Sequence, residues 1–266
     1  MQRLRSDDAE IVYEVVGTGP PIVLLHPFPA HHEFWNPILP ALSSRYMLIL
    51  PDLRGHGDSE IGQGPASMQK HASDIVRVLD AAGVGKAAFI GCSIGGYILF
   101  EFWRRFRERV LSVALCDTRA QADTADARAN RLKAAADVLE QGPGPFIETM
   151  IPKLMGRTTL TTRPDLVDRA RAMMRKMSAE DISLVQRGMA ERPDSVGELK
   201  TVNVPTLIVI GEEDILSTPS DGELMRQNIA ASRLKIIPKA GHYAPWEQPA
   251  AVGTVLRQFL DDVAMK

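Results

Sequence analysis

Ala87-Ala88-Phe89-Ile90-Gly91-Cys92-Ser93-Ile94-Gly95-Gly96 is the stretch on which the reading of this chain turns. A short strand-like apolar run enters G-x-S-x-G, and a helical pattern follows from Ile94 to Phe106. The pentapeptide alone carries little, since chance supplies it in roughly one chain of this length in ten. Its setting is far rarer. A strand that turns this sharply into a helix leaves room only for glycines beside the serine, and it exposes the serine Oγ at the top of a sheet. The helix N-terminus adds unpaired N–H groups and positive potential, which stabilise developing negative charge. Ser93 is therefore the candidate nucleophile. Cys92 is its rival, but Cys92 and Cys116 both end apolar runs and read as small buried hydrophobes of a reduced cytoplasm. Two cysteines in a chain this long do not make a disulfide framework.

Outward from this point, short β-branched runs alternate with longer helical patterns, as in a parallel sheet with crossover helices. Strands are expected at Ile11–Val16, Ile22–Leu25, Tyr46–Leu50, Ala87–Ile90, Val110–Leu115, Thr206–Ile210 and Leu234–Ile237. The near-unbroken apolar runs among them suit strands buried on both faces. Ser67–Ala82 repeats Ile75, Val76 and Leu79 at helical spacing, with His71 on the surface of that helix and Gly83 closing it. Ser220–Ile229 and Pro249–Val263 are also helical. Between Thr118 and about Lys200 the strand signal vanishes and apolar pairs recur at helical intervals. The chain therefore divides into an α/β core, residues 1–118 and 200–266, and an inserted helical cap, 119–199. Such an insertion should lie over the carboxyl edge of the sheet, where these sheets bind ligands. Its methionines, Met150, Met173 and Met174 among them, either line a pliable pocket or are ordinary core.

Composition removes several classes of function. At 266 residues, with 45% hydrophobic and 24% charged residues, the chain is globular in character. A net charge of −2 gives no reason to expect nucleic acid or an anionic membrane as partner. The N-terminal residues lack the apolar core of a signal peptide, and the apolar stretch Ala87–Phe100 is too short and too glycine-rich to span a bilayer. A cytoplasmic protein is expected, with a homo-oligomer left open. No dinucleotide fingerprint or metal-ligand cluster is visible, so no cofactor and no metal are expected. His31 and His32 lack a Cys, Asp or Glu partner at ligand spacing.

Further motifs complete the pattern: His26-Pro27-Phe28-Pro29, Asp52-Leu53-Arg54-Gly55-His56-Gly57-Asp58-Ser59, Gly211-Glu212-Glu213-Asp214 and Gly241-His242-Tyr243-Ala244-Pro245. With the Ser93 motif they span nearly the whole chain. The sequence resembles the α/β-hydrolase superfamily, and within it the small capped esterases, enol-lactonases and non-haem haloperoxidases. The fold implied is α/β, a mostly parallel sheet flanked by helices with an inserted cap. These motifs are specific for the fold and much less so for the substrate.

A serine hydroxyl needs an adjacent base at neutral pH. His242 follows the last strand pattern and completes the superfamily's order Ser…Asp…His. His56 lies in a Gly-rich turn that is structural in the resembled group, and His26 is expected to hold loops by hydrogen bonding. The imidazole in turn needs a carboxylate to fix its tautomer. Asp214 matches the usual acid of the group; Asp117, which also ends a strand, is the rival. Glu212 and Glu213 read as solvated loop charges. Asp52 and Arg54 should tie adjacent loops together. For the oxyanion, one donor is the N–H after the nucleophile, that of Ile94. The other comes from the loop after Ile22–Leu25, where the group carries His-Gly-aromatic. Here Pro27 replaces the glycine, and because proline has no N–H, Phe28 is the donor that remains between Pro27 and Pro29.

The resemblance thus implies a carboxylic ester hydrolase acting on a small-molecule ester or lactone through an acyl-enzyme on Ser93. The same triad also serves perhydrolysis with halide oxidation, lyase chemistry and carbon–carbon cleavage, and a capped member of this fold can act as a non-catalytic receptor. An aspartate at position 93 would instead have pointed to dehalogenase or epoxide-hydrolase chemistry.

Overall fold

A computed structural model describes residues 1–264. One eight-stranded sheet contains β1 (Gln2–Ser6), β2 (Ala9–Val16), β3 (Pro21–Leu25), β4 (Met47–Pro51), β5 (Ala87–Cys92), β6 (Val110–Cys116), β7 (Thr206–Gly211) and β8 (Ser232–Ile237). Their order is β1-β2-β4-β3-β5-β6-β7-β8, antiparallel at β1–β2 and β2–β4 and parallel elsewhere.

The apolar runs produce this sheet because successive side chains of a strand point to opposite faces. In β3, Ile22 and Leu24 join one hydrophobic cluster while Val23 and Leu25 join the other. In β5, Ala88 and Ile90 oppose Ala87 and Phe89; in β7, Leu207 and Val209 oppose Ile208 and Ile210. Two apolar faces require two covers. The helices Met68–Ala81 and Ile94–Phe106 cover one, through Ile75, Val78, Ile98 and Phe102. Pro249–Ala264 covers the other through Val252, Leu256 and Phe259.

Crossover connections bring the carboxyl ends of β3, β5, β6, β7 and β8 to one edge, and the strand order reverses between β3 and β5. Such a reversal opens a crevice above the sheet. Between β6 and β7 come the helices Ala125–Gln141, Pro143–Leu154, Arg157–Thr162, Pro164–Met174, Ala179–Ala190 and Val196–Leu199. The first and fifth of these pack together, with Ser183 Oγ donating to the Ala135 carbonyl at 2.7 Å. Among the described residues, no helix is long and apolar enough to cross a membrane.

Two features depart from the sequence reading. β1 was not expected, because Gln2-Arg3-Leu4-Arg5-Ser6 has no apolar run; it is an edge strand held by its ladder to β2, with Arg3 pairing Glu10 and Arg5 pairing Glu60. Charged residues on an edge strand discourage pairing with other chains. His71, expected on a helix surface, is fully buried. It stands three residues after Met68 and four before Ile75, which puts it on the apolar stripe of its own helix.

Burial makes several imidazoles hard to protonate. It pushes His26 and His71 well below the ordinary histidine range, lowers His31, and takes His56 down to about 4. At His32 burial is outweighed by the Asp52 carboxylate, and the pKa rises. A lowered imidazole means that the unfolded chain binds more protons than the fold between the ordinary value and the shifted one. These imidazoles therefore cost stability as pH falls from about 6.5 toward 4, opposed by His32 and by the buried carboxyls of Asp74, Asp117 and Glu247, which burial raises. His56 alone contributes a loss on the order of 2 kcal/mol at pH 5. Urea denaturation should show a clearly lower midpoint at pH 5 than at pH 7; an equal or higher midpoint at pH 5 would contradict this account of the buried histidines.

Candidate active site

Ser93 sits between β5 and the helix Ile94–Phe106 with φ 54° and ψ −113°. A non-glycine residue at positive φ costs of order 1–3 kcal/mol and persists only where its surroundings impose it. Here they do. The Ser93 N–H donates to the Cys116 carbonyl at 3.0 Å, and the Thr118 hydroxyl donates to the Ser93 carbonyl at 2.8 Å. The flanking glycines are needed because a Cβ on Gly95 would lie 2.4 Å from the Leu25 carbonyl oxygen, and one on Gly96 2.3 Å from Thr118 Oγ1.

His242 reaches the serine from the loop after β8. Its Nε2 is 2.7 Å from Ser93 Oγ and its Nδ1 is 2.8 Å from Asp214 Oδ2. Asp214 follows β7, and its other oxygen accepts the N–H groups of Leu216 at 2.8 Å and Ser217 at 3.0 Å. With Nδ1–H donating to the carboxylate, the Nε2 lone pair is left facing the serine hydroxyl. All three side chains are buried, Ser93 the most open at 8%. Serine, histidine and carboxylate thus form one continuous hydrogen-bonded line.

Asp117 is not in that line. One of its oxygens accepts the Gly211 N–H at 2.8 Å and the other the Ala244 N–H at 3.0 Å. Burial, and then the charge of Asp214, pushes its carboxyl well above the usual range. It pins β7 and the chain after His242, the two segments that carry the acid and the base. Cys92 is fully buried, and burial followed by the Asp117 charge pushes its thiol well up, so it is a poor source of thiolate.

The Phe28 and Ile94 N–H groups have no hydrogen-bond acceptor among the described residues. Ile94 opens its helix, so its N–H has no intrahelical acceptor either. The Phe28 loop is fixed from two sides: Tyr243 Oη donates to the Phe28 carbonyl at 3.2 Å, and His26 Nε2 accepts the Leu53 N–H at 2.9 Å. His56 contacts the Arg54 carbonyl at 3.0 Å and does not join the line.

Folding supplies His31 and His32 with the carboxylate that sequence spacing did not reveal. Ligand atoms of His31, His32 and Asp52 lie within 4.8 Å of one another. The Asp52 oxygens are already committed, however, to His32 Nδ1 at 2.7 Å, the His32 N–H at 2.9 Å and the Asp58 N–H at 2.9 Å. That set holds loops together. Arg54 does the same across a wider span, donating to Asp74 at 2.7 and 2.9 Å and to Asp8.

A cavity of about 420 Å³ opens above Ser93 and His242 under the inserted helices, with Phe28, Phe146, Met150 and Leu216 on its apolar wall. Met150 and Met189 line it; Met173 and Met174 instead belong to the hydrophobic cluster under the sheet's other face. Two carboxylates tie the helical segment to the core. Glu213, expected as a solvated charge, accepts the Thr158 N–H at 2.7 Å and its hydroxyl at 2.6 Å. Glu247, which sequence reasoning passed over, accepts the Gly241 N–H at 2.8 Å and the Gly156 N–H at 2.9 Å, fixing the residue before His242. Its only sequence signal was an acid placed directly after Tyr243-Ala244-Pro245-Trp246.

The family described as alpha/beta hydrolase fold matches residues 20–249. Over 262 residues the chain is 26% identical to 3-oxoadipate enol-lactonase 2 of Acinetobacter baylyi, covering 96% of each. A thermophilic esterase from Thermogutta terrifontis, solved with malate bound, is 36% identical and superposes with a TM-score of 0.95 over 99% of both chains. A hydrolase from Pseudomonas aeruginosa is 26% identical, with a TM-score of 0.91 over 97% of both.

The two aspartates separate by experiment. Asp214→Asn keeps the shape but offers Nδ1 an amide, which favours the wrong tautomer; in a serine protease the equivalent change costs about 10⁴ in rate. Ester turnover should fall by a similar factor without a change in fold. Asp117→Asn turns an amide NH₂ toward a backbone N–H, a mismatch of about 1–3 kcal/mol, so it should lower the melting temperature by several degrees and the rate only modestly. If the two outcomes are exchanged, the acid is Asp117.

Proposed function

The chain belongs to the α/β-hydrolase fold family, and on that premise we propose that it is a serine hydrolase that cleaves carboxylic esters or lactones of small substrates through an acyl-enzyme on Ser93. The observation that carries this reading is the Ser93–His242–Asp214 line, at 2.7 and 2.8 Å, opening into the cavity. The similarity to an enol-lactonase and to an esterase over almost the full chain supports the hydrolase class.

His242 Nε2 takes the proton of Ser93 Oγ as the oxygen attacks the substrate carbonyl carbon. Asp214 holds the imidazole in the tautomer that can accept that proton and stabilises the imidazolium. The carbonyl π electrons move onto oxygen, and the Phe28 and Ile94 N–H groups receive the oxyanion. One such donor is typically worth about 3 kcal/mol. Collapse of the tetrahedral species breaks the bond to the alcohol oxygen, which leaves with the proton from His242. Water then repeats the sequence against the acyl-serine, His242 again acting as base, and the free acid departs. In a lactone the leaving alcohol stays attached, so ring opening and hydrolysis deliver one hydroxy acid, or its keto form from an enol lactone. The groups this chemistry requires are all supplied by the chain.

The proposal is tested with p-nitrophenyl esters of graded chain length beside a set of lactones. Turnover is expected on short members, and Ser93→Ala should lower it by roughly 10³–10⁶-fold with the fold intact. Cys92→Ala should keep most of the activity. An active Ser93→Ala protein would overturn the mechanism.

A further inference from the structure

Tyr243, the residue after the base, plays no part in the proton transfers. It is fully buried, and its ring packs edge-on against Phe34 with centroids 5.0 Å apart. Phenylalanine would fill the same space. What the hydroxyl adds is a single bond, donated to the Phe28 carbonyl at 3.2 Å across 215 residues of sequence. Burial pushes the phenol well above its ordinary range, so at neutral pH it remains an uncharged O–H donor.

The hydroxyl is presented from a rigid base. The Tyr243 carbonyl accepts the Trp246 and Glu247 N–H groups, both at 2.8 Å, and the adjoining Ala244 N–H is held by Asp117 at 3.0 Å. The target is equally defined. The Phe28 N–H belongs to the Pro27–Phe28 peptide, whose carbonyl lies 3.0 Å from His26 Nδ1 and accepts the Ala30 N–H at 2.9 Å. Burial keeps the His26 ring neutral, and its Nε2 accepts the Leu53 N–H, so Nδ1 carries the ring proton and donates to Pro27. A trans peptide points its C=O and N–H in opposite directions. Holding the Pro27 carbonyl therefore turns the Phe28 N–H away from it, and that N–H has no acceptor among the described residues.

One end of Phe28 is thus held, and its ring meets His56 and Phe146 edge-on, each with centroids 5.8 Å away. Pro27 and Pro29 have φ fixed by their rings. The φ of Phe28 is not fixed in this way, and rotation about it swings the N–H. The Tyr243 hydroxyl removes that freedom by holding the carbonyl at the other end of the residue. An oxyanion donor works only when it is already aimed at the place where charge develops. Phe28 and Ser93 line the same cavity, so the aim of this N–H bears directly on the nucleophile.

We propose that Tyr243 is a positioning residue of the oxyanion hole: its hydroxyl holds Phe28 so that the Phe28 N–H stays aimed at the carbonyl oxygen of the group Ser93 attacks. This assignment rests on the hydrolase reading and adds one residue to that site. Base and oxyanion donor are thereby fixed to each other through adjacent residues, His242 and Tyr243.

The test is Tyr243→Phe, which removes the hydroxyl and keeps the ring. On a short p-nitrophenyl ester, kcat should fall roughly tenfold, less than the factor of about 10²–10³ lost with a whole donor, while KM stays within about twofold. Two aliphatic ketones separate aim from pocket shape. Ser93 Oγ adds to the carbonyl carbon of a trifluoromethyl ketone, its proton passes to His242, and the carbonyl π electrons move onto oxygen as an oxyanion; the matching methyl ketone stays trigonal. The variant should bind the trifluoromethyl ketone roughly tenfold more weakly and the methyl ketone as wild type does. A Tyr243 that only supports packing would leave kcat unchanged or weaken both ketones alike, and either result overturns the proposal. Amide exchange reads the loop without any turnover. The Ala30 N–H, bonded to the Pro27 carbonyl, should exchange roughly fivefold to tenfold faster in the variant, with the amides of β5 little changed. If wild type cleaves esters and the variant matches it in kcat and in Ala30 exchange, the positioning role is refuted and the hydrolase reading survives. If no ester is cleaved but Ala30 exchange accelerates in the variant, the hydrolase reading fails while the hold of Tyr243 on Phe28 stands.

Discussion

Everything in this molecule is organised around a serine held at positive φ where a central strand becomes a helix. That conformation is unfavourable in isolation, and β6 with the loop that leaves it imposes it through the Cys116 carbonyl and the Thr118 hydroxyl. The helix approaches so closely that Gly95 lies against the Leu25 carbonyl, which leaves no space for a side chain. The consequence is an Oγ raised to the carboxyl edge of the sheet, within 2.7 Å of His242. Sheet register delivers the other partners. β6, β7 and β8 are parallel and in step, so the loops that leave them meet above β5.

Carboxylates other than Asp214 keep that meeting point in place. Asp117 joins Gly211 to Ala244, and Glu247 joins Gly241 to Gly156. Each accepts a backbone N–H on both oxygens, which leaves neither free to compete for the imidazole. Buried carboxylates satisfied in this way fix loop positions more tightly than side-chain packing alone. Glu213 extends the same device to the inserted helices through Thr158. The roof of the cavity is therefore attached close to the histidine loop, and a shift in one is felt by the other.

The sheet was legible in sequence because buried parallel strands are written as apolar runs, and its helices because their stripes repeat at helical spacing. What escaped was whatever depends on partners distant in sequence. β1 has no apolar run because it is an edge strand with only Leu4 and Ser6 turned toward the interior. His71 is polar by type, and only its register with Met68 and Ile75 marks it as buried. The His32–Asp52 bond spans twenty residues of sequence, beyond the reach of ligand-spacing rules. Motif context could single out Ser93, Asp214 and His242, since each follows a strand within a short glycine-containing motif. Arg119, Arg131 and Arg192 carry no such marker; scattered along helices and loops, they meet at the Asp123 carboxylate only in the fold.

In the proposed hydrolysis, Ser93 Oγ carries the acyl group and His242 activates it. A fluorophosphonate traps such a serine without depending on the rate of deacylation. Intact-mass analysis and peptide mapping after labelling should show one adduct per chain, on the peptide at Ser93, with labelling suppressed in His242→Ala. An adduct on Cys92, or ester hydrolysis at full rate by protein whose Ser93 is completely labelled, would contradict the account.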